Sequence, residues 1–156
     1  MCGLCGVLRF DGVQPDADLL ARMQAPLAPR GPDDEGQHFD RNLALGHRRL
    51  SILDLSPRGH QPMRDDETGV AIVFNGTIYN FPALREELIA RGHQFKSTGD
   101  TEVILRGFLE WGEAVVARLV GMFAFAIWDA RQRRLLVARD RLGIKPLYFS
   151  LSLIHI

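Results

Sequence analysis

The sequence predicts an α+β fold in which one β-sheet packs on another and helices roof the pair. Three observations predict it. Residues 70–74 (VAIVF) are apolar at every position, which marks a strand covered on both faces. Residues 122–128 (MFAFAIW) and 134–138 (RLLVA) form a hairpin around 129–133. Its first strand puts Phe123, Phe125 and Ile127 on one face and Met122, Ala124, Ala126 and Trp128 on the other, so neither face suits water. Helical segments lie between these strands in the chain, which suits a sheet-on-sheet core with helices outside.

Residues 2–10 read as a strand, closed by Asp11-Gly12. From Asp16 to about Ala25 the spacing is helical, with Leu19, Leu20 and Met23 on one stripe and Pro26 and Pro29 ending it. Residues 30–36 (RGPDDEG) are too rich in glycine, proline and charge to be other than a loop. A short strand is expected at 37–40 and a longer one at 43–52, followed by a loop over 56–62. The buried strand at 70–74 is expected to break at Asn75-Gly76. Asn80 caps a predicted helix over 81–91, with Leu84, Leu88 and Ile89 inward and Gly92 at its end. Asp100 reads as the cap of the next helix, which stops at Gly112, and a short helical piece follows over 113–120.

At 156 residues the chain is one domain by size, and its 19 basic and 19 acidic residues cancel without long blocks of either sign. Charge therefore implies neither nucleic acid nor a membrane surface as partner. The two cysteines, both within the first six residues, make no disulfide framework and suit a reducing cytosol. No signal peptide and no apolar run of about twenty residues is present, so a cytoplasmic protein is expected.

The chemistry is concentrated at the start, MCGLCG. If Met1 is removed, Cys2 carries a thiol and a free α-amine on one carbon. With reference pKa values of roughly 8.5 for a thiol and 7.7–8.0 for an α-amine, the amine can accept the thiol proton near neutrality. Cys2 and Cys5 also spell C-x-x-C, the pattern of a redox pair or half a zinc site. Residues three apart in a strand stand about 10 Å apart on opposite faces, beyond disulfide reach, and the histidines show no paired zinc spacing.

Further strings follow in order: RGPDDEG at 30–36, HRRLSILD at 47–54, HQP at 60–62, NGTIYN at 75–80, GDTEVIL at 99–105, GMFAFAIWD at 121–129 and RDRLGIKPLY at 139–148. With the Cys2 start, this ordered set resembles the glutaminase domain of the class II glutamine amidotransferases, most closely the glutamine-dependent asparagine synthetases, over about 2–149. The resemblance implies the N-terminal nucleophile hydrolase fold, a four-layer α-β-β-α sandwich of antiparallel sheets. It divides the chain into a glutaminase domain over 2–150 and a tail over 151–156 without family counterpart. A C-terminal truncation is expected, because the family continues into a synthetase domain that uses ATP and Mg.

By the same resemblance Cys2 is the nucleophile toward L-glutamine, with Asn75 and Gly76 as oxyanion donors. Arg49 receives the glutamine α-carboxylate and Asp100 its α-ammonium. From the residues alone, Asn75-Gly76 also reads as a hairpin turn and Asp100 as a helix cap. His47, His60 and Asp54 are left as structural. Thr77 stands where these synthetases commonly carry glutamate, and a hydroxyl without charge implies weaker glutamine binding. Pro29 replaces a histidine usual before the RGPD loop. The resemblance gives this domain no cofactor, aspartate as acceptor in a full-length enzyme, and a homodimer. The alternative of another class is a non-catalytic scaffold of the same fold that braces a synthetase partner.

Overall fold

The computed structural model describes residues 1–152; the expected tail lies partly outside them, at 153–156. Strand β1 (Gly3–Leu8) leads into helix α1 (Ala17–Gln24), whose cap is the Asp16 carboxylate accepting the Asp18 N–H. Strands β2 (Asp34–Asp40) and β3 (Leu43–Arg49) complete an antiparallel sheet in the order β1-β3-β2. A second sheet, in the order β4-β5-β6-β7, is built from β4 (Met63–Arg64), β5 (Ala71–Ile78), β6 (Gly121–Asp129) and β7 (Arg134–Arg139). Helices α2 (Phe81–Ala90), α3 (Asp100–Trp111) and α4 (Val115–Arg118) lie between β5 and β6 in the chain. Among the described residues no helix is long and apolar enough to cross a membrane.

The alternation along each strand sorts the core into two layers. Ile72, Phe74, Phe123, Phe125 and Ile127 face the helices, where Leu84, Leu88, Val103, Ile104 and Leu105 meet them. Val73, Ala126 and Trp128 face the other way and pack on Leu43 and Leu45 of β3, with Leu4 and Leu8 of β1 alongside. Helix α1 covers the outer face of the first sheet, and its Gln24 Nε2 donates to the carbonyls of Gly36 and His47. The layers therefore run α-β-β-α, as the sequence predicts.

Several local expectations fail, the first two because long-range strand pairing outweighs the local signal; the strand expected over 43–52 also ends early, at Arg49. Asn75-Gly76 does not end β5: both residues pair with β6, Asn75 opposite Ala124 and Gly76 opposite Phe123. Residues 34–36 join β2, where they pair with Arg49, Arg48 and His47. The cap of α3 is Gly99, and Asp100 is the first helical residue. Ile89 is exposed, whereas Leu84 and Leu88 are buried as expected.

His47 ties the sheets together. It is fully buried, and its Nε2 donates to the Phe74 carbonyl at 3.0 Å. Burial pushes its pKa down to about 4 against the opposing pull of that hydrogen bond. A histidine neutral when folded but charged when unfolded loses stability as pH falls from its ordinary value of 6.5 toward about 4. Over that window His47 should lower the unfolding free energy by about 3 kcal/mol. Urea midpoints for His47→Gln, which keeps a donor and cannot titrate, should be flatter between pH 7 and pH 4.5 than those of the unaltered protein.

Candidate active site

The two sheets part at one end, and the gap is a cavity of about 210 Å³. Cys2, Arg49, Asn75, Gly76, Thr77 and Asp100 all line it, so the six residues singled out in the sequence converge from four parts of the chain. Cys2 enters from the residue before β1. Leu4 and Leu8 of that strand face the second sheet, and Cys2 continues their alternation. Its Sγ accepts the Leu50 N–H at 3.3 Å, and its carbonyl accepts Arg30 Nε at 3.3 Å. Cys5 lies on the opposite face, against Gly46, and both cysteines are free thiols. Burial raises the Cys5 pKa to about 11 despite a hydrogen bond with the Gly46 backbone.

Arg49 and Arg48 are separated by the same alternation. Leu43, Leu45, His47 and Arg49 share the face of β3 turned to the second sheet, whereas Arg48 faces away and pairs with Glu35. The Arg49 guanidinium is buried and held by two carbonyls, Ser56 at 3.2 Å from Nη1 and Asp54 from Nη2. A guanidinium has five N–H donors, so a side of the fork is left for a carboxylate. The carbonyls are fixed by the Asp54 side chain, which accepts the Ser56 N–H and hydroxyl on Oδ1 and the Thr98 N–H on Oδ2. Burial alone would raise the Asp54 pKa, but these hydrogen bonds prevail and bring it down to about 2.

Gly59 gives Arg49 its room: a Cβ there would come 2.1 Å from Nη2. Gly59→Ala should therefore push the guanidinium off its carbonyls. If Arg49 binds a substrate carboxylate, KM for that substrate should rise about 10- to 100-fold, the value of a lost charge-assisted hydrogen bond, with kcat much less affected. Steady-state kinetics check this.

Strand β5 carries four of the cavity residues, Phe74, Asn75, Gly76 and Thr77. Ile72 pairs with Met63 on its outer edge, so the N–H and C=O groups of Phe74, Gly76 and Ile78 point the same way, past the end of β4. Side chains take over from the missing strand. Gln61 Oε1 accepts the Phe74 N–H at 2.7 Å, His47 holds the Phe74 carbonyl, and Asp100 Oδ2 accepts the Ile78 N–H at 2.9 Å. Between these clamps the Gly76 N–H faces the open edge. Asn75 and Thr77 share the face of Val73, toward the first sheet and Cys2. Asn75 as a residue is 7% exposed, and its carboxamide makes no hydrogen bond among the described residues.

Asp100 is buried, and burial raises its pKa against the lowering effect of the Ile78, Asp100 and Thr101 backbone N–H groups. Its side chain thus braces β5 as well as facing the cavity. Of the residues left as structural in the sequence, His47 bonds the Phe74 carbonyl and His60 Nδ1 meets Asp34 Oδ2 at 2.8 Å on the surface, whereas Asp54 also lines the cavity. Sequence reasoning gave no role to Gln61 or Lys145, which also line the cavity, although they stand within HQP and RDRLGIKPLY. No periodicity marks them, because each reaches the site from a loop.

The family model described as a glutamine amidotransferase domain matches residues 1–154. The chain is 42% identical over 153 residues to "Asparagine synthetase [glutamine-hydrolyzing] 3" of Bacillus subtilis, covering 96% of this chain and 25% of the relative. It is 40% identical over 154 residues to the Arabidopsis thaliana protein of the same name, covering 98% and 26%. It is also 40% identical over 146 residues to "Amidase chry2" of Gibberella zeae, covering 92% and 22%. The chain thus spans about a quarter of the length of these curated relatives. Among solved structures, the glutamine phosphoribosylpyrophosphate amidotransferase of B. subtilis superposes with a TM-score of 0.58 at 24% identity, covering 69% of this chain and 25% of that one, a likeness of fold. By sequence, the chain belongs to the glutamine amidotransferase domain family.

Proposed function

We propose that this chain hydrolyses the side-chain amide of L-glutamine to glutamate and ammonia, with Cys2 as the nucleophile once Met1 has been removed. The observation that carries the reading is the convergence of Cys2, Arg49, Asp100 and the Asn75-Gly76 edge on one cavity between the sheets. Arg49 takes the glutamine α-carboxylate, and Asp100, helped by the Thr77 hydroxyl, takes the α-ammonium. This pairing meets each charge on the glutamine Cα with its opposite and leaves the side-chain amide, at the other end of the molecule, for Cys2. The raised pKa of Asp100 falls in value once a cation sits beside it, so glutamine binding and deprotonation of Asp100 favour each other.

Cys2 Sγ attacks the amide carbon while its proton passes to its own α-amine. The carbonyl oxygen becomes an oxyanion held by the Asn75 carboxamide and the Gly76 N–H, donors fixed before the reaction begins. Collapse breaks the C–N bond, and the α-ammonium returns the proton to the leaving nitrogen, releasing ammonia and a glutamyl thioester. Water then attacks the thioester, regenerating the thiol and freeing glutamate. No cofactor takes part in these steps.

The relatives' names support a place as the glutaminase part of an asparagine synthetase. Aspartate is then the acceptor, and ATP with Mg acts in the synthetase part of such an enzyme. The test is release of glutamate and ammonia by the Met1-free chain, with Cys2→Ala as its control. A non-catalytic scaffold predicts no release from either protein.

A further inference from the structure

Lys145 is a buried cation that glutamine hydrolysis by Cys2 leaves without a role. It is 7% exposed and lines the cavity with Cys2. It reaches there from the turn after β7, which the Asp140 carboxylate holds by accepting the N–H groups of Phe123, Ile144 and Lys145. Among the described residues the only hydrogen-bond partner of its Nζ is Met1 Sδ, at 3.1 Å. A thioether is a weak acceptor for an ammonium group. Removal of Met1 takes even that acceptor away and exposes the α-amine of Cys2 in the same cavity.

We propose that Lys145 is a positioning residue whose ammonium holds the freed Cys2 α-amine in its neutral, proton-accepting form. The proposal rests on the reading of Cys2 as nucleophile. The Lys145 charge acts through space: it repels a protonated α-amine and not a neutral one, whose single lone pair stays free for the thiol proton. Of two neighbouring amines, the α-amine has the lower reference pKa, so it is the one that gives up its proton. The thiol proton then has a vacant base to move to, and the resulting α-ammonium, destabilised by Lys145, passes it readily to the leaving nitrogen.

The other charges around the terminus do not substitute for Lys145. Arg30 is engaged with the Cys2 carbonyl, and Arg49 with the carbonyls of Asp54 and Ser56. Among the carboxylates, Asp33 accepts the Ser51 N–H, Asp54 is saturated by Ser56 and Thr98, and Asp140 is turned to its own loop. Asp100 bonds Ile78 and is assigned to the glutamine ammonium, where its charge is neutralised on binding.

The test is the pH dependence of kcat/KM for glutamine hydrolysis by Met1-free Lys145→Met and Lys145→Arg, with processing verified by intact mass. For Lys145→Met the acid limb should move up by about one pH unit, because a neighbouring unit charge in a partly buried site is worth at least that much. Lys145→Arg should keep the limb near its original position. If Lys145→Met does not fold, Lys145→Gln serves the same comparison. An unmoved limb in the neutral variant overturns the proposal, as does an effect confined to KM at every pH, which would make Lys145 a ligand of glutamine. Labelling by 6-diazo-5-oxonorleucine separates the two levels of failure. Cys2 labelled with the limb unmoved defeats Lys145 alone; Cys2 unlabelled in the unaltered protein defeats the nucleophile and this proposal together.

Discussion

Cys2→Ala should reduce glutamine hydrolysis to the uncatalysed background while the protein stays folded and still binds glutamine. The thiol is the only group in the proposed mechanism that forms a bond to substrate, and the oxyanion donors cannot act on an intermediate that never forms. The fold should barely register the change, since Sγ contributes only two weak sulfur contacts, accepting the Leu50 N–H at 3.3 Å and donating to the Leu50 carbonyl at 3.7 Å. Alanine is small, so removal of Met1 should proceed as before, and the free amine is retained without its nucleophile. Cys5→Ser should remain active: Cys5 sits on the far face of β1, and its pKa of about 11 keeps it a thiol near neutrality. A thiol redox module would show the reverse pattern, with Cys5 indispensable. Ammonia and glutamate assays, with isothermal titration for binding, distinguish these outcomes.

The layered fold was legible because apolar alternation is a local record of a global fact. Phe123, Phe125 and Ile127 face the helices and Ala126 and Trp128 face the first sheet, as their spacing in the chain requires. The Asn75-Gly76 edge was legible as chemistry through resemblance, but not as structure. Asn-Gly carries a strong turn signal, and only pairing with Ala124 and Phe123, far along the chain, keeps it in a strand. Asp100 shows the same limit: an acid before a helix reads as a cap, whereas here the cap is Gly99 and the carboxylate satisfies the Ile78 N–H. Lys145 and Gln61 had no pattern to betray them. Their roles arise where a loop happens to end, beside the mouth of the cavity and along the edge that β4 leaves open.

Asn75→Ala should lower kcat for glutamine by about 10²–10³-fold, equivalent to about 2.7–4 kcal/mol of lost transition-state stabilisation, with KM little changed. A donor that strengthens its bond only as the carbonyl oxygen becomes charged affects the barrier and not the ground-state complex. Stability argues for the same assignment. The Asn75 carboxamide has no hydrogen-bond partner among the described residues and is not sealed from solvent, so truncating it breaks no hydrogen bond within the protein. The melting temperature of Asn75→Ala should therefore change little while the rate falls, a combination that a structural asparagine would not give. Asn75→Asp, which keeps the shape but replaces the donor with a negative charge beside the developing oxyanion, should lose at least as much. If either variant instead lost stability and activity together, the carboxamide would be part of the scaffold of β5, and the Gly76 N–H would stand alone at the open edge of the sheet.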